Sequence, residues 1–320
     1  MRWSVLFLLF LASCASKPKP NLNPEMGPAE GAIPIVKWAA RGHLEKVIGQ
    51  HEGQSISVNI QNSQGTTALM VACFNGHKNV VEYLLSKGAD VSLKDRWGAT
   101  ALHYAVQKSR VEEVDLLIKA GAPLESKNEF GFTPLMMATR FASAETVEQL
   151  INRGSALDAE AEDGWTPVFF SIPRGEIEIL NIYLQKKVNL EVTDDFGDTP
   201  MIVAAQYGQL DMVKALKAQG AKIDVQNFEG ESPFYVAVKN NFRKLAQYLN
   251  KMGAKVNHQR LDGRTPLMEA VSNGSENMVQ WLLKAKAKVN LQDKSGATAV
   301  DLARSLNNEK LLGLLNGSVK

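Results

Sequence analysis

The sequence contains very little cysteine: Cys14 and Cys73 are the only two among 320 residues. Two cysteines cannot build a disulfide framework, so stability must come from packing. An excess of charge of one sign is also lacking, because 36 lysine and arginine residues face 34 aspartate and glutamate residues. A nucleic-acid-binding protein usually carries a concentrated basic face, and this near-neutral balance does not point to one. Nucleic acid is therefore not an expected partner.

Residue types that carry catalysis or bind metals are sparse and scattered. No pair of histidines stands at a spacing typical of a zinc site, and the five are His43, His51, His77, His103 and His258. Cys73 lies in a stretch of small apolar residues and is expected to be a packed core thiol. The acid pairs Glu162–Asp163 and Asp194–Asp195 are interpreted as solvated or partner-facing charge at exposed turn tips, not as catalytic carboxylates. The sequence thus predicts no metal, no cofactor and no enzymatic activity.

A long apolar run occurs once, from Trp3 to Ala12, directly after Arg2. It is too short to span a bilayer and has the length of a signal-peptide core. The run ends in Leu11, Ala12, Ser13 and Cys14, which together resemble the bacterial lipobox. The resemblance implies removal of residues 1–13 and acylation of the thiol and new amino group of Cys14. The alternative is an ordinary secretory signal cut near Ala15.

The lipobox resemblance also implies a location. Several acyl chains give stable membrane anchoring, and acylated Cys14 would leave Cys73 without a disulfide partner. Ala15 stands where an inner-membrane retention signal usually has Asp, so the resemblance implies outer-membrane delivery, facing the periplasm. Residues 14–30 are expected to form a lipidated N-terminus and an extended linker, because they include four prolines, Pro18, Pro20, Pro24 and Pro28.

Glycines recur with a fixed period of 33 residues through most of the chain. There are eight, and we call them the ladder glycines: Gly65, Gly98, Gly131, Gly164, Gly197, Gly230, Gly263 and Gly296. Such a period indicates a stack of one supersecondary unit whose core grows by adding neighbours. The functional question therefore concerns what the stacked surface binds.

Other residues recur in phase with the ladder glycines. Thr or Ser stands two positions after all eight, and Pro follows it in five repeats, which is a strong signal for a helix start. Ala stands seven positions after seven of the eight, Ser171 being the exception. Apolar pairs such as Leu84–Leu85 mark a second helix, and Gly88–Ala89 marks its stop.

These residues resemble the ankyrin repeat, which has a β-turn finger followed by two antiparallel helices. The resemblance is clearest in Gly98, Thr100, Leu102 and His103, and it covers residues 31–320. It implies an all-α repeat solenoid of about nine repeats. We expect an N-terminal cap repeat at 31–64 with one extra residue, seven repeats at 65–295 and a C-terminal cap repeat at 296–320.

Three departures from the pattern are informative. Lys187 and Lys286 replace the glycine that stops the second helix, which costs about 1 kcal/mol if a left-handed conformation is kept. The repeat 164–196 is the most divergent, with Ser171 and Pro173, and is expected to form a bend or soft joint. His103 alone keeps the family histidine, and it is expected to form structural hydrogen bonds.

Positions that the scaffold leaves free are expected to bind the partner. In ankyrin folds these are the finger tips and the inner face of the first helix, and nine of forty such positions are aromatic against 7% of the whole chain. Aromatic side chains are favoured interface anchors. The nine are Phe74, Trp97, Phe130, Phe132, Phe141, Trp165, Phe196, Tyr207 and Phe228. Charged members of the same surface are Glu162, Asp163, Asp195, Asp198, Arg140 and Arg174, with Glu129, Glu229, Glu231, Lys108 and Lys239.

The sequence therefore predicts a mixed groove across residues 97–240, with aromatic side chains at its centre and acidic fingers at its rim. An acidic rim favours a partner protein with a basic patch and mainly sets association rate and specificity. The expected function is that of a monomeric, envelope-tethered binding protein, such as a regulator, inhibitor or protective partner of an exported cell-wall enzyme. Two alternatives are a glycan or peptidoglycan binder and a structural spacer. The finger aromatics are also compatible with stacking among themselves.

Overall fold

The computed structural model describes residues 33–317, which form eighteen α-helices in nine consecutive pairs. These residues contain no β-strand, and the predicted all-α repeat solenoid is confirmed. The predicted signal peptide, Cys14 and the linker lie outside the described residues. No helix within 33–317 is long and apolar enough to cross a membrane.

Each pair has a first helix and a second helix. The first helices are α1 (Pro34–Ala40), α3 (Ala68–Asn75), α5 (Ala101–Gln107), α7 (Pro134–Phe141), α9 (Pro167–Phe170), α11 (Pro200–Gln206), α13 (Pro233–Lys239), α15 (Pro266–Ser272) and α17 (Ala299–Ser305). The second helices are α2 (Leu44–Ile48), α4 (Lys78–Ser86), α6 (Val111–Lys119), α8 (Ala144–Asn152), α10 (Ile177–Gln185), α12 (Leu210–Ala218), α14 (Arg243–Lys251), α16 (Glu276–Lys284) and α18 (Glu309–Asn316).

The described residues divide into two compact units, 33–162 and 163–317. In the first, helices α1, α3, α5 and α7 pack side by side, and α4 packs against α6, which packs against α8. In the second, helices α9, α11, α13, α15 and α17 pack side by side, and α16 packs against α18. The fully buried side chains lie between these two layers of helices, as in a solenoid whose repeats contact their neighbours.

The first helices of the eight repeats with a ladder glycine begin at the predicted Thr or Ser caps. The Thr67 side chain accepts a hydrogen bond from the Met70 backbone N–H at 3.2 Å, and the Met70 sulfur accepts one from the Thr67 N–H at 3.4 Å. In the next repeat His103 Nδ1 takes the place of the sulfur and accepts from the Thr100 N–H at 3.1 Å. Methionine can take the place of the histidine in this motif because its sulfur is a weak hydrogen-bond acceptor for the same backbone N–H.

The segment before each ladder glycine forms a tight turn, which we call a finger. In one example, Asp95 Oδ1 accepts hydrogen bonds from the backbone N–H groups of Trp97 (3.0 Å) and Ala99 (2.9 Å), and Gly98 adopts φ +72°. Neighbouring fingers are joined by backbone hydrogen bonds, such as Glu129 N–H to Trp97 O at 2.8 Å. The fingers of each unit are therefore held in a fixed order without forming strands.

The two predicted left-handed lysines are present. Lys187 has φ 55° and Lys286 has φ 67°, so both keep the backbone conformation of the glycine they replace. A side chain is disfavoured in this region, because the β-carbon approaches the backbone carbonyl oxygen. The interpretation that a left-handed helix stop is kept is confirmed.

The extra residue of the first repeat lies in its second helix. After α2 the chain makes one π-helical turn, Gly49–Gly53, and the left-handed residue that follows is Ser55, with φ 54°. A π turn contains one residue more than an α turn and so absorbs an insertion without shifting the rest of the repeat.

The divergent repeat has the shortest first helix among the described residues. Helix α9 covers a single turn, and the Ser171 hydroxyl donates to the Val168 carbonyl at 2.7 Å. Proline disfavours helical backbone at the residue before it, so Pro173 limits continuation through Ile172. A bend at this repeat stays a prediction.

Candidate partner-binding surface

Phe74 was expected to be an exposed anchor, and this prediction is wrong. Its side chain is only 8% exposed, because its ring makes an edge contact with Tyr104 of the following repeat, with centroids 5.9 Å apart. The Lys108 ammonium lies 4.6 Å from the centroid of the Phe74 ring. Phe74 is part of the contact between two repeats.

The other predicted aromatics of the first unit are covered to different extents. Trp97, Phe130 and Phe132 are half-buried, and the Arg96 guanidinium lies 4.3 Å from the Trp97 ring centroid. The Arg140 guanidinium lies 5.8 Å from the ring of Phe132 and 5.2 Å from that of Phe141. Cation–π contacts of this kind are worth about 0.5–1 kcal/mol at exposed sites.

Four predicted members of the first unit are exposed to solvent. Phe141 is 43% exposed, and Lys108, Glu129 and Glu162 are also exposed. The predicted basic side chains Lys108 and Arg140 lie against rings of this same unit. Arg140 thus lies beside both Phe132 and Phe141, and Phe141 is the exposed large apolar side chain of this group.

Trp165 in the second unit has a structural role. Its indole N–H donates to Asp194 Oδ2 at 3.1 Å, and its ring stacks on Phe169 with centroids 5.6 Å apart. Asp194 is buried, so the expectation that it lies at an exposed turn tip is wrong. Burial raises the pKa of Asp194 and also that of half-buried Asp163.

Asp198 was predicted at the exposed rim, and it is buried instead. Its carboxylate accepts hydrogen bonds from Asn227 Nδ2 at 2.8 Å and from Gln206 Nε2 at 2.5 Å. Burial raises the pKa of Asp198 to about 7, and the hydrogen bond from Asn227 opposes this shift. Asp198 lies one position after its ladder glycine, where the following finger covers it.

Glu231, another expected rim acid, is buried in an ion cluster of the second unit. It accepts from Lys239 Nζ at 2.6 Å and from Arg260 Nη1 at 2.9 Å. Arg260 also donates twice to Asp262, at 2.8 Å in each case. These contacts pair the charge of Glu231 with those of Lys239 and Arg260 inside the unit. They also connect two neighbouring fingers.

The fingers of the second unit carry a row of open apolar side chains, which we call the finger stripe: Phe196, Phe228 and Leu261. Their exposed fractions are 46%, 69% and 63%. The Phe228 N–H donates to the Phe196 carbonyl at 3.0 Å, and the Leu261 N–H donates to the Glu229 carbonyl at 3.0 Å. The stripe therefore crosses three consecutive fingers whose backbones are hydrogen-bonded to one another.

Acidic side chains flank the finger stripe. Asp195 is exposed next to Phe196, and Glu229 is half-buried next to Phe228. Arg260 Nη1 approaches Glu229 Oε2 at 3.5 Å, a longer contact than its bonds to Glu231 and Asp262. Two carboxylates, those of Asp195 and Glu229, therefore lie beside the stripe in sequence, and an acidic rim stays a prediction.

Four residues with a sequence-based prediction remain: Arg174, Tyr207, His103 and Cys73. Arg174 is exposed and forms an ion pair with Glu176 at 2.9 Å, and Tyr207 is half-buried at the end of α11. His103 Nε2 lies 3.0 Å from the Phe132 carbonyl, so its structural role is confirmed. Cys73 is fully buried, as predicted, and burial raises the pKa of its thiol. Within residues 33–317 no three histidine, cysteine or acidic side chains are grouped to hold a metal ion.

The repeat geometry agrees with a comparison to known families. A family described as "Ankyrin repeats (3 copies)" matches residues 7–95, 31–128, 102–194, 135–227, 171–260 and 234–318. The chain belongs to the ankyrin repeat family. Ankyrin repeats are protein–protein interaction modules, so this ankyrin chain contains such a module.

One relative of the ankyrin chain is the mouse protein Ankyrin repeat and SAM domain-containing protein 6. It is 40% identical over 63 residues, which are 20% of this chain and 7% of that protein. The chain thus matches only a small part of the relative's length, and the likeness concerns the repeats.

Two members of the surface were missed from the sequence. Leu261 stands two positions before its ladder glycine, as Phe228 does, but it is aliphatic and so lacks the aromatic signal of the other members. Arg260 stands where most repeats have Asp or Asn, and this departure was the available signal for the ion cluster.

Proposed function

We propose that this ankyrin chain binds a partner protein through the finger stripe and does so at the bacterial cell envelope. One observation carries the first part. Among residues 33–317, three of the four most exposed large apolar side chains are Phe228, Leu261 and Phe196, on consecutive fingers. Contiguous exposed apolar side chains with a polar rim are typical of interaction sites.

Stacking between fingers does not account for this exposure. The Phe228 ring lies over Gly197 and Leu261 lies over Gly230, so each side chain uses one face for contact with the preceding finger. Phe228 nevertheless remains 69% exposed. The free faces cost solvation free energy of about 25 cal/mol for each Å² of apolar surface, which burial against a partner would recover.

The charges around the stripe indicate which kind of partner segment would fit it. Asp195 and Glu229 favour a segment that carries apolar side chains between basic ones. The buried acids Asp198 and Glu231 are excluded from this rim, because their hydrogen bonds are made within the second unit. The proposed contact surface thus covers fewer fingers than the groove predicted across 97–240, and with Leu261 it extends past residue 240.

Photocrosslinking in the native host tests the binding site. We would replace Phe228 with benzoylphenylalanine in the full chain and compare it with the same replacement at Leu306, which is 49% exposed on the last repeat. We expect a discrete protein adduct at position 228 that disappears when Phe196→Ala and Leu261→Ala are added. Adducts of equal yield at both positions, or adducts that persist in the double variant, would contradict the stripe as the site. Co-sedimentation with purified sacculi, lost in the same variant, would indicate a glycan ligand instead.

The envelope location is supported by the sequence from Arg2 to Cys14, which lies outside the described residues. Cys14→Ala is expected to release the protein from the membrane fraction or to leave its signal uncleaved. Fractionation and immunoblotting of the variant beside the parent chain measure both outcomes. An unchanged membrane fraction with a processed N-terminus would count against acylation and leave the finger stripe untouched.

A further inference from the structure

The first repeat presents an end face that no preceding repeat covers in the described structure. Two adjacent positions of the first helix show which side of a repeat faces the preceding repeat and which side faces the following one. In the last repeat Ala303 is fully buried whereas the next residue, Arg304, is exposed. Residues equivalent to Ala303 therefore face the preceding repeat, and those equivalent to Arg304 face the following one.

The first repeat shows the complementary pattern. Ala39, equivalent to Arg304, is fully buried against the following repeat. Trp38, equivalent to Ala303, is half-buried and lies on the end face. Ala72 and Ala105 occupy this position in the next two repeats and are fully buried, so a large ring stands only where no neighbouring repeat must fit.

Cationic side chains surround Trp38. The Lys46 ammonium lies 3.8 Å from the ring centroid, that of Lys37 lies at 5.1 Å, and the Arg41 guanidinium lies at 5.7 Å. His43 makes an edge contact with the ring, with centroids 5.6 Å apart. Arg41, His43 and Lys46 are exposed. We define the basic tryptophan cluster as five residues: Trp38, Lys37, Arg41, His43 and Lys46.

Carboxylates do not neutralise this cluster within residues 33–317. No salt bridge to Lys37, Arg41 or Lys46 occurs there. The segment 33–53 contains two acids, and one of them, Glu52, is bound by Lys87 at 2.9 Å. Glu45 alone remains beside three permanent cations, so the cluster keeps a positive charge.

We propose that the basic tryptophan cluster binds the headgroup surface of an anionic lipid bilayer. Tryptophan is enriched at membrane–water interfaces because its ring is apolar and its N–H is polar. Lys and Arg near an anionic surface each contribute attraction that falls off within a Debye length. The cluster joins both features at the N-terminal end of the described stack. It does not depend on acylation of Cys14 or on the finger stripe.

Vesicle flotation tests this proposal. The full chain with Cys14→Ala would be mixed with vesicles of phosphatidylcholine alone or of phosphatidylcholine with phosphatidylglycerol. The apolar segment binds both vesicle types, and its flanking cations Arg2, Lys17 and Lys19 are the same in every variant, so the difference in anionic-vesicle excess between the parent and the cluster variant measures the cluster. We expect this excess to disappear at high salt, and to fall about tenfold or more when Lys37, Arg41 and Lys46 are replaced by Ala.

The matched control removes the same charge from the second unit. Lys251→Ala, Lys255→Ala and Lys284→Ala change three exposed lysines, and this variant is expected to bind as the parent does. Trp38→Ala is expected to weaken binding with an unchanged thermal melt of the stack. Equal loss in both triple variants would overturn the proposal in favour of net charge alone. A dimer that forms through Trp38 and floats with neither vesicle type would overturn it in favour of a second copy.

Discussion

The ring of Phe228 lies directly over Gly197, and a β-carbon on that glycine would come within 2.7 Å of the ring's Cδ1 atom and 2.9 Å of the Phe228 nitrogen. Gly197 also has φ +77°. The ladder glycine therefore has two roles, since it permits the left-handed turn and leaves room for the next finger.

The first prediction separates these two roles. Gly197→Ala is expected to lower the free energy of unfolding by about 2–3 kcal/mol, because backbone strain adds to displacement of the next finger. Gly88→Ala is the control, since Gly88 has φ +78° and no atom within 4 Å of the added carbon, and it should cost about 1 kcal/mol. Urea unfolding followed by circular dichroism measures both. Equal losses would show that the finger contact contributes nothing.

A second prediction concerns Asp198 and pH. Its folded-state pKa of about 7 lies above the ordinary value of 3.8, so between these values the folded chain holds a proton that the unfolded chain has lost. The stability from this group is present at low pH and is lost as pH rises from about 4 to 7. Relative to Asp198→Asn, the parent should lose about 3 kcal/mol across this window.

Parallel urea titrations of the two chains from pH 4.5 to 7.5 give this difference. Asp195→Asn is the matched control, because it removes a carboxyl group from the same finger at an exposed position. A constant difference between the parent and Asp198→Asn would show that Asp198 ionises at an ordinary pH despite its burial.

A third prediction concerns His103, where the sign is opposite. Burial lowers the pKa of His103 from 6.5 to about 4, so the unfolded chain takes up a proton first as pH falls. The parent should lose about 2–3 kcal/mol of stability between pH 6.5 and 4 that is attributable to this group.

Met occupies the same position in other repeats, at Met70, Met136 and Met268, so His103→Met is the natural comparison. The variant should lack this part of the pH dependence when both chains are unfolded in urea. His43→Gln is the matched control, because it removes a histidine at an exposed position. If His103→Met follows the parent throughout, the buried histidine is not the origin of the effect.

A fourth prediction exchanges lysine and glycine at the left-handed helix stops. Lys286→Gly is expected to raise the free energy of unfolding by about 1 kcal/mol, because glycine adopts φ 67° without strain. Gly220→Lys makes the reverse change at the equivalent stop, with φ +94° and open space around it, and should cost a similar amount. Thermal melts of the two variants and the parent test this pair, and shifts of the same sign would refute it.

Local features were predictable from the sequence because neighbouring residues build them. The Thr67 cap, the Asp95 turn and the left-handed Lys286 each depend on contacts within a few residues. The surface was harder to predict, since Phe74 meets Tyr104 and Glu231 meets Arg260 across about one repeat of sequence. Whether such residues are open or covered depends on the side chain that the next repeat supplies.

The sequence by itself determined the repeat, its period, its helix caps and its turn glycines, because backbone preferences and hydrogen bonds act over one turn or one helix. Only the tertiary structure decided which free positions stay exposed. It buried Phe74, Asp198 and Glu231 against neighbouring repeats and left Phe196, Phe228 and Leu261 open. The physical reason is that side-chain burial depends on the partner across the repeat boundary, which the residue's own position in the repeat does not specify.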